Sequence, residues 1–159
     1  MTQVGRRGVL VGIPALVAGG FAASAAGADT KSIEEAVLAV SAEMTKAGEA
    51  LDAERLFSYM LDTDKVSVIQ NGVALTTRQE ALEQVRSNLR GIAAIQYRWK
   101  SQHVTVLSPE VALLAAEGES TATTTAGQTF STPFAQTVVF VLKEGRWKAL
   151  HAHQSAPRR

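Results

Sequence analysis

At 159 residues, with 46% apolar and 19% charged side chains, the chain can build one globular core but not two comfortable domains. Sixteen basic residues against fifteen acidic, with no basic run, exclude an ordinary nucleic-acid interface, which needs clustered Lys and Arg to displace phosphate counterions. With no cysteine, disulfides, thiolate metal centres, a cysteine nucleophile and a lipidated N-terminal cysteine are all excluded.

Residues 1–28 read as a targeting segment. Arg6-Arg7 give a positive start, Val9 to Ala26 form an apolar run rich in Gly and Ala, and Ala26-Gly27-Ala28 offers a small-residue cleavage site. Arg6-Arg7-Gly8-Val9-Leu10 follows the twin-arginine pattern. An uncleaved membrane anchor is the alternative, weakened by Pro14 and the glycines. Cleavage removes two of the sixteen basic residues and leaves fourteen against fifteen acidic in a domain over 29–159. Such a domain is expected in the periplasm or outside the cell.

Ile33, Ala36, Val37, Val40, Met44 and Ala47 recur at helical spacing and predict a first helix over 31–47, with Gly48 as its cap. Asp52 is the expected N-cap of a short second helix that turns Ala53, Leu56, Phe57 and Met60 to one side. Val66 and Val68 begin a strand, and Asn71-Gly72 suits a tight hairpin because both residues tolerate positive φ. Val73 to Leu75 returns. Thr77 and Glu80 then form a capping box for a third helix, with Ala81, Leu82, Val85, Leu89 and Ile92 buried and Arg78, Arg86 and Arg90 on a solvated face.

From Ala94 onward the pattern is of strands. Gln96 to Lys100 alternates polar and aromatic residues, and the alternation flips around Val104 and Val106, which predicts a bulge near His103. Ser108-Pro109-Glu110 turns, Val111–Thr123 and Thr132–Lys143 follow as long strands, and Glu144-Gly145 leads into the last one.

Three segments carry a family resemblance: Ala47 to Phe57, Asp64 to Gly72, and Gly145-Arg146-Trp147 through His151-Ala152-His153-Gln154-Ser155. In their order and spacing they resemble the nuclear transport factor 2-like superfamily, in its SnoaL-like branch. The last segment also resembles the calmodulin-dependent kinase association domain. The resemblance implies an α+β cone in which a curved antiparallel sheet wraps three N-terminal helices. It further implies a pocket at the wide mouth and homodimers formed through the sheet. It does not imply one activity.

His151 and His153 stand at i and i+2, hence on one face of the last strand. In the family's sheet order His103 lies three strands away, roughly 14 Å, too far to share a metal with them. No metal site and no cofactor are therefore expected. Glu117 and Glu119 share a face that reads as an exposed hairpin, while Trp99, Phe134, Phe140 and Trp147 read as cone walls and floor. The isomerase members use a buried aspartate, and this chain has none after Asp64.

The leading expectation is an exported protein that binds a small apolar or amphipathic molecule in the cone, with Tyr97, Trp99, Gln136, His151 and His153 as ligand contacts. The alternatives are a pocket enzyme of isomerase, cyclase or dehydratase type, or a non-catalytic association module. In the enzyme, His103 is the base, on the parity of Tyr97 and Trp99, and Tyr59 or Tyr97 is the hydrogen-bond donor.

Overall fold

The computed structural model describes the backbone of residues 23–157 and side chains from Thr30 onward. Most of the expected leader therefore lies outside the described residues. Three helices, α1 (Ala23–Glu49), α2 (Ala53–Ser58) and α3 (Arg78–Leu89), alternate with a short hairpin, β1 (Ser67–Gln70) and β2 (Val73–Leu75). Four long strands complete the chain: β3 (Ile92–Ser108), β4 (Val111–Thr124), β5 (Thr129–Lys143) and β6 (Arg146–Ser155). They form one six-stranded sheet in the order β2-β1-β6-β5-β4-β3, curved over the helices and not closed. The fold is α+β, as the sequence led one to expect, with one exception to the antiparallel pattern: β1 runs parallel to β6.

Local chemistry sets the helix ends. α1 begins earlier than residue 31, and its C-terminus is a Schellman turn in which Leu51, not Gly48, takes the left-handed conformation (φ 55°). Leu51 N–H donates to the Gly48 carbonyl and Asp52 N–H to that of Ala47. Asp52 then caps α2 by accepting from Arg55 N at 2.9 Å. The Thr77–Glu80 capping box of α3 is complete. Arg78, expected on the solvated face of α3, instead turns inward. It donates to the Phe57 carbonyl at 3.0 Å and lies 5.7 Å from the Phe57 ring centroid, so it ties α3 to the end of α2.

The core sits where helices meet the closed end of the sheet. Val37, Val66, Leu114 and Phe140 are its largest fully buried side chains. Truncating a buried Phe costs ~3–5 kcal/mol, whereas an exposed ion pair such as Lys100–Glu117 contributes about 1 kcal/mol at most, so apolar packing holds the sheet on the helices.

The long edge strand β3 carries an extra residue at Ala93, Lys100 and Leu107, each exposed, and β6 carries one at Leu150. An extra residue bends the strand and reverses the faces of everything beyond it. The flip predicted near His103 therefore occurs earlier, at Lys100. Before it, Ile95, Tyr97 and Trp99 point inward; after it, Gln102, Val104 and Val106 do.

β4 has to pass close beneath this bend. A methyl group on Gly118 would lie 2.9 Å from the Arg98 carbonyl oxygen and 3.1 Å from Trp99 Cε3. Gly118→Ala is expected to cost about 1–3 kcal/mol through overpacking against backbone that cannot move aside. Urea denaturation measures it, and unchanged stability would show that β3 and β4 separate freely there.

Candidate functional site

A cavity of about 370 Å³ opens between the sheet and the three helices. Its position follows from side-chain size. Toward the closed end the inner face carries Leu114, Phe140 and Trp147, which fill the space. Toward the β4–β5 tip it carries Ser120 and Ala122, which leave the space open.

One wall is aromatic. Trp99 and Phe134 meet edge to face at 5.3 Å, Tyr97 and Phe134 at 6.0 Å, and Tyr97 stacks along Trp99 at 6.4 Å. Polar bonds hold this wall to α1. Trp99 Nε1 donates to Thr45 Oγ1 at 3.3 Å, and Thr45 in turn donates to the Ser41 carbonyl at 3.0 Å. The Tyr97 ring rests on Gly48, where an added Cβ would come within 3.2 Å of its Cε2. Gly48, expected as a cap, is a seat for this ring.

A second wall is a belt of amides. Register places Gln102, Ala116, Gln136, Gln154 and Gln70 in one row across β3, β4, β5, β6 and β1. Gln102 donates to Ser41 Oγ at 3.3 Å. Asn88 donates to Gln70 Oε1 at 3.2 Å, and Gln70 Nε2 donates to Gln154 Oε1 at 2.5 Å. Gln70, Asn88, Gln136 and Gln154 all line the cavity, as do Asp52 at the start of α2 and the apolar Val68, Val138 and Ala152.

The three histidines are elsewhere. With an unbroken β3, His103 would share the face of Trp99; the extra Lys100 turns it to the outer face, where it is exposed. The extra Leu150 does the same to β6, so Ala152 and Gln154 face inward while His151 and His153 face outward. His151 Nδ1 bonds Ser67 Oγ at 2.8 Å, and His153 shares a shallow outer groove with His103. Tyr59, the C-cap of α2, sends its hydroxyl to Glu43 at 3.5 Å and does not line the cavity. The base proposed from sequence, His103, and one of its two alternative donors, Tyr59, thus lie outside it, whereas the other donor, Tyr97, lines it. Of the expected ligand contacts, Tyr97, Trp99 and Gln136 line it and His151 and His153 do not.

Glu117 and Glu119 pair across the outer face with Lys100 and Arg98. Among the described residues no three of His, Asp and Glu gather as a metal ion would require. No described helix is long and apolar enough to cross a membrane.

Sequence reasoning missed Gln70, Asn88 and Gln154. Gln70, two residues after Val68, shares its face, and that spacing is legible; Gln154 is not, because the bulge before it is not.

With this geometry in view, the fold is that of the nuclear transport factor 2-like superfamily. Residues 37–159 match the SnoaL-like domain, and the chain belongs to that family. No curated protein of known function matches the sequence. Among solved structures, a candidate dehydratase of the nuclear transport factor 2-like family from Streptomyces avermitilis is similar, with 22% identity over 79% of this chain and 97% of that one and a TM-score of 0.70. A superfamily protein from Salmonella enterica is 14% identical over 82% of this chain and 94% of its own, with a TM-score of 0.75. The association domain of C. elegans CaMKII is 16% identical over 79% and 96%, with a TM-score of 0.64. At these identities the likeness is one of fold.

Burial, with the Glu49 carboxylate added, pushes the Tyr97 phenol above its ordinary value of 10.0. The folded state therefore keeps this proton longer than the unfolded chain does. Its contribution to stability is whole below about pH 10 and is lost as pH rises through the folded value. In Tyr59→Phe, whose one remaining phenol is Tyr97, ultraviolet titration should show ionisation above 10.0. Removing Tyr97 as well should reduce the loss of stability above that pH, and a phenol ionising at or below 10.0 would refute the burial argument.

Proposed function

We propose that this protein binds a small, uncharged, amphipathic molecule in the cavity and does not perform histidine-based acid–base chemistry there. The observation carrying this reading is the lining itself. Its polar groups are amides, hydroxyls, the Trp99 indole and the helix-capping carboxylate of Asp52, its apolar wall is aromatic, and all three histidines of the chain face away. A volume of about 370 Å³ falls within the 300–1,000 Å³ usual for ligand pockets, so the cone is not packed solid as a pure association module would allow.

The enzyme alternative finds support in the fold of the Streptomyces dehydratase candidate and in Asp52, the carboxylate on the lining. Asp52 Oδ1 is already committed to capping α2, and the donor Tyr97 lines the cavity without its proposed base, His103, so the geometry favours binding over turnover.

The leader and the assembly belong to the same proposal. Arg6-Arg7 and the Ala26-Gly27-Ala28 site support export to the periplasm or beyond, with a mature chain starting at Asp29. The outer face around Ala115, Ala135 and Thr137 carries short side chains along the shallow groove, which would let a second copy of the chain approach to form a homodimer.

Two measurements test these readings. Binding of prodan, a neutral environment-sensitive naphthalene dye, should saturate at one site per chain. Its affinity should stay level between about pH 5 and 8, the range in which histidine titrates, and should survive His103→Ala. Affinity that follows a titration removed by His103→Ala would replace this reading with the enzyme. Native mass spectrometry of protein recovered outside the cytoplasm should give a dimer of chains beginning at Asp29. Intact Met1 would refute cleavage, and a monomer at micromolar concentration would refute the dimer.

A further inference from the structure

The amide belt is not uniformly satisfied. Gln102 is tied to α1 through Ser41, and Gln70 is held between Asn88 and Gln154. The side-chain amide of Gln136, at the centre of the row, has no hydrogen-bond partner among the described residues, yet the residue lines the cavity. Its neighbour Gln154 accepts from Gln70 through Oε1, so its Nε2 donor is left facing the same space. Ala116, opposite Gln136 on β4, is too short to reach either group.

A primary amide offers one acceptor and two donors in a plane. An apolar guest covering Gln136 would strip it of water and leave it unpaired, at a cost that outweighs what most single contacts return. A guest that presents a carbonyl oxygen beside an N–H pairs with Gln136 on both sides. The same carbonyl also accepts from Gln154 Nε2. A carboxylate guest meets no cation on the lining and does meet Asp52. Phe134 is two residues before Gln136 on the same face of β5, and Trp99 packs against it, so the body of the guest lies on an aromatic surface.

Resting on the binding role above, we infer that the ligand is a flat, uncharged molecule bearing a carboxamide or lactam, whose polar edge pairs with Gln136 and Gln154 and whose ring lies against Trp99 and Phe134. The class follows from hydrogen-bond complementarity at a single position of the belt.

Isothermal titration with three probes of one shape tests it: naphthamide, naphthoate and isopropenylnaphthalene, all substituted at the same ring position. Naphthamide should bind roughly tenfold tighter than the isopropenyl compound, with naphthoate weakest at neutral pH. In Gln136→Leu that advantage should vanish while the isopropenyl compound binds as well as before or better. Gln136→Met, which keeps the volume, repeats the test should Leu disturb the strand. Equal affinity for all three probes in the unmodified protein, or an amide preference that survives both variants, overturns the inference. If prodan and isopropenylnaphthalene bind but naphthamide gains nothing, the ligand class alone fails. If no probe binds, the binding function fails and this inference with it.

Discussion

A strand presents alternate residues to opposite faces, and inserting one residue without a partner exchanges the faces for all that follow. Nearly everything about this cavity depends on two such insertions. Lys100 in β3 and Leu150 in β6 each stand without a register partner, and each precedes histidines that an unbroken strand would have pointed at the helices. The same shifts bring Gln102 and Gln154 inward to share a row with Gln70 and Gln136. Two extra residues thus replace an imidazole lining with an amide one, and a site that would change charge near neutral pH becomes one that does not.

The insertions also bend the sheet, and the bend creates a space that side chains must fill or leave. At the closed end Leu114, Phe140 and Trp147 fill it against Val37 and Phe57. At the other end β4 carries Ser120 and Ala122, and the space stays open. Helix α1 spans both regions. It is joined to the closed end by apolar packing and to the open end by the bonds from Trp99 to Thr45 and from Gln102 to Ser41. A hollow lined in this way keeps its shape without a guest, because its aromatic wall is anchored from behind.

The charged groups of the described residues lie mostly where they do little to the cavity. Arg98–Glu119 and Lys100–Glu117 cross the outer face, and Arg55, Glu43 and Tyr59 form a cluster on the helices' exterior. Arg78 is the exception in position: one terminal nitrogen donates to the Phe57 carbonyl, its Nε is buried without a hydrogen-bond partner, and it does not line the cavity. The interior is left to neutral polar groups, Tyr97 with its proton firmly held, and the Asp52 carboxylate whose first task is to start a helix.

The elements themselves were legible in the chain. Helical spacing from Ile33 to Ala47, the Asp52 and Thr77 caps, the Asn71-Gly72 turn and the alternation from Gln96 to Lys100 are short-range signals, each set by residues within one or two turns of one another. Tyr97, Trp99 and Gln136 could be placed at the cavity because the alternation runs unbroken from Ala94 to Trp99 and along β5 where it pairs with β4. His103, His151, His153 and Gln154 could not, since a bulge is a property of two strands in register, and no residue type marks Lys100 or Leu150 as the one without a partner. Composition and periodicity therefore determined what the strands and helices are. Which face each side chain occupies beyond a bulge was decided only when β3 met β4 and β5 met β6, because the pairing of backbone groups across strands, not the local sequence, selects the residue that is left over.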